Sequence, residues 1–185
     1  MDRRAGTRTD VIPISDAPSA PGAGSATATR PAPVPRPTRP TRPAGHGRVG
    51  VVLVSHSQEL ALAVRRLALT MAGSDDPAPV SATGGTPDDG LGTSAVLVAA
   101  AARRVDQGHG VAVLSDLGSA VSTVLALLAD ADEHGLPFPV RFADAPFVEG
   151  AVAAVVTATA GGDLAAVLDA AEETYRQHKT GRPHL

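Results

Sequence analysis

The sequence has no cysteine and no asparagine, and its 185 residues include three Phe, one Tyr and no Trp. Because cysteine is absent, disulfides, thiolate-bound zinc, iron–sulfur clusters and cysteine nucleophiles are excluded. The absence of asparagine excludes N-glycosylation. Aromatic residues make up only 2% of the chain, too few for the stacking platforms that bind single-stranded nucleic acid. The remaining apolar residues predict a core built from Ala, Val and Leu.

Lysine is also scarce, and charge is divided unevenly along the chain. The sixteen basic residues comprise fifteen Arg and a single Lys, Lys179. Residues 1–48 hold eight Arg and three Asp, a net charge of +5, whereas the remaining residues carry −8. The first 48 residues also hold nine of the sixteen Pro, which is typical of an extended, solvated segment. We therefore predict a disordered Pro/Ala/Arg-rich leader over residues 1–47, a folded domain over 48–178 and a flexible C-terminus over 179–185.

Targeting signals are not evident in this leader. No apolar segment follows Met1 as it does in a secretory signal, and the prolines argue against the amphipathic helix of a transit peptide. The longest membrane-like stretch, residues 150–162, is shorter than the roughly 18–20 residues that cross a bilayer. We expect a cytoplasmic protein without a membrane partner. A Pro-rich ligand or a basic nucleic-acid patch is the alternative for the leader, but the acidic remainder argues against nucleic acid as a partner.

Short apolar runs alternate with amphipathic segments from residue 48 onward. The pattern predicts strands at residues 49–55, 79–83, 110–115 and 140–143, and helices at 58–72, 94–107, 118–130, 146–160 and 163 to about 179. Such alternation indicates an α/β fold with an open, mostly parallel, doubly wound sheet and helices on both faces. In the first helix, four residues at helical spacing predict the apolar face: Leu60, Val64, Leu67 and Met71.

Polar side chains directly after the strands are the candidates for chemistry, because sites in such sheets lie at the carboxyl ends of the strands, where the strand order reverses. His56 ends the most hydrophobic strand, and Asp116 follows the next strand that looks central. A carboxylate bonded to one imidazole nitrogen fixes the tautomer and leaves the other nitrogen free as a nucleophile or base. Helix N-termini after His56, Thr93 and Gly118 favour a bound anion such as a phosphoryl group. The pattern predicts phosphoryl transfer through a phosphohistidine, with a purely structural His56 as the alternative.

Other chemistries find less support in the sequence. The glycine-rich stretch at 84–93 lacks the Gly-Lys-Ser/Thr of a phosphate-binding loop, and no dinucleotide fingerprint follows the first strand. Ser115 and Ser119 lack the Gly-x-Ser-x-Gly elbow of a hydrolase. A metal held by His56, Asp116 and Asp144 is conceivable, but no spacing singles it out. We therefore expect neither a cofactor nor a metal on this chain.

Five motifs occur in a specific order: Val-Ser-His-Ser at 54–57, Gly-Gly-Thr at 84–86, Gly-Thr-Ser at 92–94, Asp-Leu-Gly-Ser-Ala at 116–120 and Ala-Pro-Phe-Val-Glu-Gly-Ala at 145–151. Together they resemble the DhaM family, the phosphotransferase subunits of PTS-dependent dihydroxyacetone kinase, whose domain is similar to the mannose-type enzyme IIA fold. The resemblance covers about residues 48–178. It implies that His56 is the phosphoryl carrier and that Asp116 is the carboxylate that orients it. The residues implied to line the phosphoryl site are Ser57, Gly85, Thr86 and Ser119. Further candidates are Thr93, Ser94 and Glu149.

The resemblance implies a phosphoenolpyruvate–glycerone phosphotransferase subunit. Phospho-HPr would phosphorylate His56, by family analogy on Nε2 while Asp116 holds Nδ1. The phosphohistidine would then rephosphorylate ADP on the nucleotide-binding subunit of the kinase, and a further subunit holds dihydroxyacetone. ADP/ATP and Mg²⁺ are thus expected on the partner subunit, and members of this fold usually form homodimers.

Two alternatives remain: the enzyme IIA component of a mannose-type sugar transporter, and a non-catalytic regulatory phospho-module. The chain also departs from the family pattern. It has the long leader, and Leu62-Ala63 stands where Glu-Gly is expected. The HPr-like and enzyme I-like domains of some members do not follow, so the chain would rely on separate carrier proteins.

Overall fold

Strands and helices alternate from the first strand to the fourth helix within residues 47–86 and 90–177, the residues described by a computed structural model, and a fifth helix follows directly. The elements are β1 (Gly50–Ser55), α1 (Gln58–Ala72), β2 (Val80–Gly84), α2 (Ala95–Val105), β3 (Val111–Ser115), α3 (Gly118–Ala129), β4 (Val140–Phe142), α4 (Phe147–Thr159) and α5 (Leu164–Glu173), followed by a 3-10 turn at Thr174–Arg176. Each predicted strand and helix is present. The last helix ends earlier than predicted, at Glu173. The predicted C-terminal segment and all but the last residue of the predicted leader lie outside the described residues.

The four strands form one parallel sheet in the order β2-β1-β3-β4. After β1 the chain adds β2 on one side, and it then crosses to the other side to add β3. The strand order therefore reverses at β1, and the loops that leave β1 and β3 diverge at their carboxyl ends. The predicted doubly wound parallel sheet is confirmed, and β1 and β3 are neighbours at its centre.

The sheet is covered on both faces by helices, and each interface has its own hydrophobic cluster. On one face, α1, α4 and α5 pack against alternate strand residues that include Val51 and Leu53. On the other face, α2 and α3 pack against the intervening residues, such as Val52 and Val54. This alternation follows from the two-residue period of a strand, and burial of both faces explains the continuous apolar runs. The largest fully buried side chains are Leu and Val, and many of the others are Ala, as the composition predicted.

Helix α1 buries a different face from the one predicted. Of the four residues expected to form that face, Val64 is buried, but Leu60, Leu67 and Met71 are exposed. The other buried positions of the helix are Ala61 and Ala68. Because α1 packs against both the sheet and α4, whose buried residues are mostly Ala, small side chains let the two helices approach closely. The larger apolar side chains of α1 remain exposed to solvent.

No helix in the described ranges is long and apolar enough to cross a membrane.

Candidate functional site

His56 and Asp116 meet at the carboxyl ends of the two central strands. His56 is the first residue after β1, and Asp116 is the first residue after β3. The backbone N–H of Asp116 donates to the carbonyl oxygen of Val54 at 3.2 Å, which continues the β1–β3 ladder by one residue. The two side chains are therefore positioned by neighbouring strands of the sheet, as their order in the sequence predicted.

The two side chains make a direct pair. His56 Nδ1 lies 3.0 Å from Asp116 Oδ1, and the backbone N–H of His56 donates to Oδ2 at 2.9 Å. An ionised carboxylate only accepts hydrogen bonds, so Nδ1 carries a proton and donates it. In the neutral imidazole, Nε2 then has no proton and presents a lone pair. The pair thus selects the tautomer in which Nε2 is the nucleophilic or basic atom.

Ser119 lies on the other side of the imidazole. Its Oγ is 2.6 Å from His56 Nε2, and it is the second residue of α3. In the tautomer that Asp116 selects, the hydroxyl donates to Nε2. The side chain of His56 is 23% exposed and that of Asp116 only 9%. The reactive edge of the ring therefore lies at the surface, with the carboxylate behind it.

Asp116 is held as an anion by four hydrogen bonds. Besides the two from His56, it accepts the Ser55 hydroxyl at 2.7 Å on Oδ2 and the Leu117 N–H at 2.7 Å on Oδ1. Burial alone would raise the pKa of this carboxyl, but the hydrogen bonds, first of them that from Ser55, outweigh it and lower the pKa below the ordinary value. The carboxylate is therefore ionised at neutral pH and is available to stabilise positive charge on His56.

Ser57 caps helix α1 beside the histidine. Its Oγ accepts the N–H of Leu60 at 3.2 Å, and its own N–H donates to Ser55 Oγ at 3.1 Å. A serine in this position satisfies one of the unpaired N–H groups at a helix start. Ser57 therefore lies next to the His56–Asp116 pair through the backbone, and the structure gives it no hydrogen bond to the imidazole.

Gly85 and Thr86 begin the loop after β2. The N–H of Thr86 donates to Gly90 O at 2.9 Å, and the N–H of Gly90 donates to Thr86 Oγ1 at 3.0 Å. Gly85 has φ of +74°, and a Cβ there would lie 2.9 Å from the oxygen of Gly90, so glycine is required. The same loop reaches His56, because the N–H of Gly92 donates to its carbonyl oxygen at 3.0 Å.

The predicted lining residues therefore divide into two groups. Ser119 is hydrogen-bonded to the imidazole, whereas Ser57, Gly85 and Thr86 line an adjoining cleft of about 770 Å³. This cleft lies between the start of α1, strand β2 and one face of α2, and its wall includes Arg104. The structure thus places the predicted residues in the segments that directly follow β1, β2 and β3, at the carboxyl end of the sheet.

The remaining candidates are less directly placed. Among the described residues, the buried Thr93 hydroxyl has no hydrogen-bond partner, and Ser94 occupies the N-cap position of α2 without a side-chain hydrogen bond to the helix. Glu149 lies in the first turn of α4. Asp144, weighed above as a metal ligand, instead accepts the Tyr175 hydroxyl at 3.2 Å. Within residues 47–86 and 90–177, no group of three His, Asp or Glu side chains could hold a metal ion.

Ser55 was not among the predicted site residues. It is fully buried, and its Oγ contacts both Asp116 and Ser57. A polar residue at the end of an otherwise apolar buried strand needs a hydrogen-bond partner, and this requirement is the signal that could have identified it.

The geometry permits two kinds of chemistry. Nε2 can attack a phosphoryl or acyl group directly, or it can take the proton of the Ser119 hydroxyl, as in a Ser-His-Asp triad. Helix α3 begins at Gly118 beside this position without a side-chain cap bond, and the N-terminus of a helix favours developing negative charge. The distances alone do not distinguish a nucleophilic histidine from a basic one.

Comparison with known proteins identifies the family of the chain. The family model described as PTS system fructose IIA component matches residues 50–168. Phosphoryl donor subunit DhaM of the PEP-dependent dihydroxyacetone kinase of Escherichia coli K12 is 39% identical over 124 residues, which cover 65% of this chain and 25% of that protein. The corresponding subunit of dihydroxyacetone kinase 2 from Listeria innocua is 31% identical over 120 residues, covering 65% of this chain and 94% of that protein. The chain thus spans about a quarter of the length of the first curated relatives it matches.

Solved structures agree on the fold. A crystal structure of EF1359, a protein of unknown function, superimposes with a TM-score of 0.57 at 26% identity and covers 74% of this chain and 99% of that one. A sigma-54 interaction domain protein from Enterococcus faecalis has a TM-score of 0.50 at 16% identity, covers 71% of this chain and 93% of that one, and shares the fold alone.

Proposed function

Because the chain belongs to the family of PTS system fructose IIA components, we propose that it is the phosphoryl donor subunit of a dihydroxyacetone kinase. In this proposal His56 accepts a phosphoryl group from phospho-HPr and passes it to ADP on the nucleotide-binding subunit of the kinase. The ATP so formed phosphorylates dihydroxyacetone on the remaining subunit. The names of the curated relatives, which are phosphoryl donor subunits of such kinases, support the choice of acceptor.

The observation that carries the proposal is the pair of contacts on the imidazole. Nδ1 faces the ionised and largely covered Asp116, and Nε2 contacts the Ser119 hydroxyl at the exposed side of the ring. A nucleophile that must meet two partner proteins in turn needs this arrangement: one nitrogen fixed from behind and the other accessible.

The proposed first transfer requires no proton to leave His56. Once the Ser119 hydroxyl moves aside, the Nε2 lone pair attacks the phosphorus of the phosphohistidine on HPr. The new N–P bond forms as the donor N–P bond breaks. The phosphorylated ring keeps its Nδ1 proton and carries positive charge, which the Asp116 carboxylate stabilises.

The second transfer reverses these changes. An oxygen of the β-phosphate of ADP attacks the same phosphorus, the Nε2–P bond breaks, and Nε2 recovers its lone pair. The ring returns to the tautomer in which it began, because Nδ1 stays bonded to Asp116 throughout. Catalysis by this chain consists of positioning and charge stabilisation, as in phosphoryl transfer generally.

Hydroxyl and N–H groups near Nε2 are proposed to hold the phosphoryl oxygens. Ser119 Oγ, now bonded to Nε2, is well placed to donate to one of them after the ring is phosphorylated. The buried Thr93 hydroxyl has no partner within residues 47–86 and 90–177, as expected of a donor that awaits a ligand. The cleft wall formed by Ser57, Gly85 and Thr86 completes this proposed phosphoryl site.

An apolar rim lies next to the histidine, and its exposure supports the proposal that protein partners bind here. We define the rim as Leu60, Leu91 and Leu117, all exposed, Leu91 by as much as 80%. Each is tied to the site by the backbone: the N–H groups of Leu60 and Leu117 donate to Ser57 and Asp116, and Leu91 precedes the Gly92 N–H that donates to His56. The net charge of −8 beyond residue 48 favours partners that present a basic face, as we expect of HPr.

A homodimer in the cytoplasm is the remaining part of the proposal, and it rests on the resemblance to the family. Sedimentation of the purified chain tests the dimer: a molecular mass near twice 18.5 kDa supports it, and the monomer mass refutes it.

Reconstitution tests the proposed function. The chain is combined with phosphoenolpyruvate, enzyme I, HPr and the two kinase subunits, and dihydroxyacetone phosphate is measured. We expect product with the wild type and none with His56→Ala, whereas His134→Ala, which changes an exposed histidine after α3, keeps the wild-type rate. Acid-labile phosphate on His56→Ala would refute the assignment of the carrier. A labelled wild type that cannot charge the nucleotide-binding subunit would favour the sugar-transport or regulatory alternative.

A further inference from the structure

Ser55 is a buried hydroxyl at the junction of three segments. It is the last residue of β1 and is 0% exposed. Its Oγ donates to Asp116 Oδ2 at 2.7 Å, and it accepts the N–H of Ser57 at 3.1 Å. One hydroxyl thus connects the end of β1, the start of α1 and the carboxylate that follows β3.

The orientation of the Asp116 carboxylate depends on this contact. Oδ1 accepts His56 Nδ1 and the Leu117 N–H, and Oδ2 accepts the His56 N–H and the Ser55 hydroxyl. Without Ser55, Oδ2 keeps a single bond, and that bond comes from the backbone of the histidine itself. The carboxylate would then be held mainly by groups on the Oδ1 side and would be free to rotate away from the ring.

We propose that Ser55 is a positioning residue for phosphoryl transfer, whose hydroxyl holds the Asp116 carboxylate so that Oδ1 faces His56 Nδ1. The effect on transfer rests on the proposed function, whereas the effect on Asp116 itself does not. His56 is the one titratable side chain bonded to Asp116 among the described residues, and the other groups on the carboxylate are neutral.

The direction of the effect on Asp116 follows from the forces that act on it. Burial raises the pKa of this carboxyl, and the Ser55 hydroxyl is the foremost of the hydrogen bonds that lower it. Removing the hydroxyl leaves burial less opposed, so the pKa of Asp116 rises. As pH falls, Asp116 is then protonated at a higher pH than in the wild type, and the carboxylate that stabilises His56 is lost sooner.

Ser115 offers a matched control. It is the last residue of β3, it is 5% exposed, and its buried hydroxyl has no hydrogen-bond partner in the part of the chain that the structure describes. Ser115→Ala therefore removes the same group from the same end of the sheet without removing a bond to Asp116. Ser55→Thr keeps a hydroxyl at position 55 and serves as the rescue variant.

The experiment measures two quantities on the full chain. Carbon NMR follows the titration of the Asp116 carboxyl, and labelling by phospho-HPr gives the rate at His56 as a function of pH. In Ser55→Ala we expect the Asp116 midpoint to rise and the rate at neutral pH to fall about tenfold. Ser115→Ala should change neither quantity, and Ser55→Thr should restore both toward wild type.

Three outcomes would overturn the proposal: an unchanged Asp116 midpoint in Ser55→Ala, an equal shift in Ser115→Ala, or a shifted midpoint with an unchanged rate. If phospho-HPr labels neither the wild type nor any variant, the proposed function fails. The NMR titration still reports on Ser55 in that case, because it needs no partner protein.

Discussion

Replacing Asp116 by Asn tests the His56–Asp116 pair most directly. The two side chains have nearly the same shape, but Asn has one oxygen that accepts and one NH2 group that donates. In the wild type, donors face both oxygens: His56 Nδ1 and the Leu117 N–H on one, the Ser55 hydroxyl and the His56 N–H on the other. In either orientation of the amide, its NH2 group faces a backbone N–H, which is itself a donor and cannot accept a hydrogen bond.

The magnitude follows from these two orientations. If the NH2 group faces the ring, Nδ1 must accept, the proton moves to Nε2, and the nucleophilic lone pair is lost. If it faces Ser55, the hydroxyl can turn to accept, but the backbone N–H of His56 is left unpaired. In either case the negative charge behind the imidazole disappears. We expect labelling at His56 to fall at least about 100-fold and the free energy of unfolding to fall by about 1–3 kcal/mol.

The assay is the initial rate of phosphoenolpyruvate-dependent labelling, with urea unfolding of the same samples. The control is Asp144→Asn, which makes the same chemical change at an exposed aspartate that follows β4 and bonds Tyr175 instead of the histidine. It should label at the wild-type rate. If Asp116→Asn labels within about tenfold of the wild type, Asp116 neither fixes the tautomer nor stabilises the charged ring, and the mechanism is wrong.

Three further predictions address neighbouring features of the fold. In Ser119→Ala we expect His56 to be phosphorylated with a rate loss of at most about tenfold. Mass spectrometry of the labelled site checks this. Loss of all labelling would instead mean that His56 acts as the base that deprotonates Ser119. The pKa of Tyr175 is raised by burial first and then by Asp144, so Asp144→Asn lowers it. Because the chain has one Tyr and no Trp, ultraviolet titration reads that residue alone, and an unchanged midpoint would contradict the contact. Gly85→Ala destabilises the fold by about 1–2 kcal/mol in urea unfolding, because φ is +74° there; unchanged stability would refute the requirement for glycine.

The arrangement of the sheet could be predicted from the sequence because its strands are buried on both faces. The runs at β1 and β3 are continuous, and each is followed at once by a polar, ionisable residue. That pattern predicted that His56 and Asp116 lie side by side. The strand order confirms that the strands preceding them, β1 and β3, are neighbours in the sheet. Their roles in phosphoryl transfer stay predictions.

Other features were not predictable from hydrophobic pattern alone. Helix α1 has large apolar residues on one stripe and alanines on another, and hydropathy favours the leucines. Close packing against an alanine-rich helix favours burial of the alanines instead. This preference depends on α4, which lies far from α1 in the sequence. Likewise, the order of the motifs predicted that Gly85 and Thr86 belong to the site. The structure adds that they line the wall of the cleft rather than contact the His56 imidazole.

His56, the proposed nucleophile, and the Ser119 hydroxyl that covers it belong to different layers of the molecule. His56 and Asp116 extend the two central strands, whereas Ser119 belongs to α3, which packs through Ala120 and Val124 on the opposite face from α1. A small displacement of α3 would therefore alter the Ser119–Nε2 distance, while the bond from the Asp116 N–H to the Val54 carbonyl oxygen keeps Asp116 beside β1 and His56. Substitutions that shift α3 would then change the exposure of Nε2 more than they change the His56–Asp116 pair.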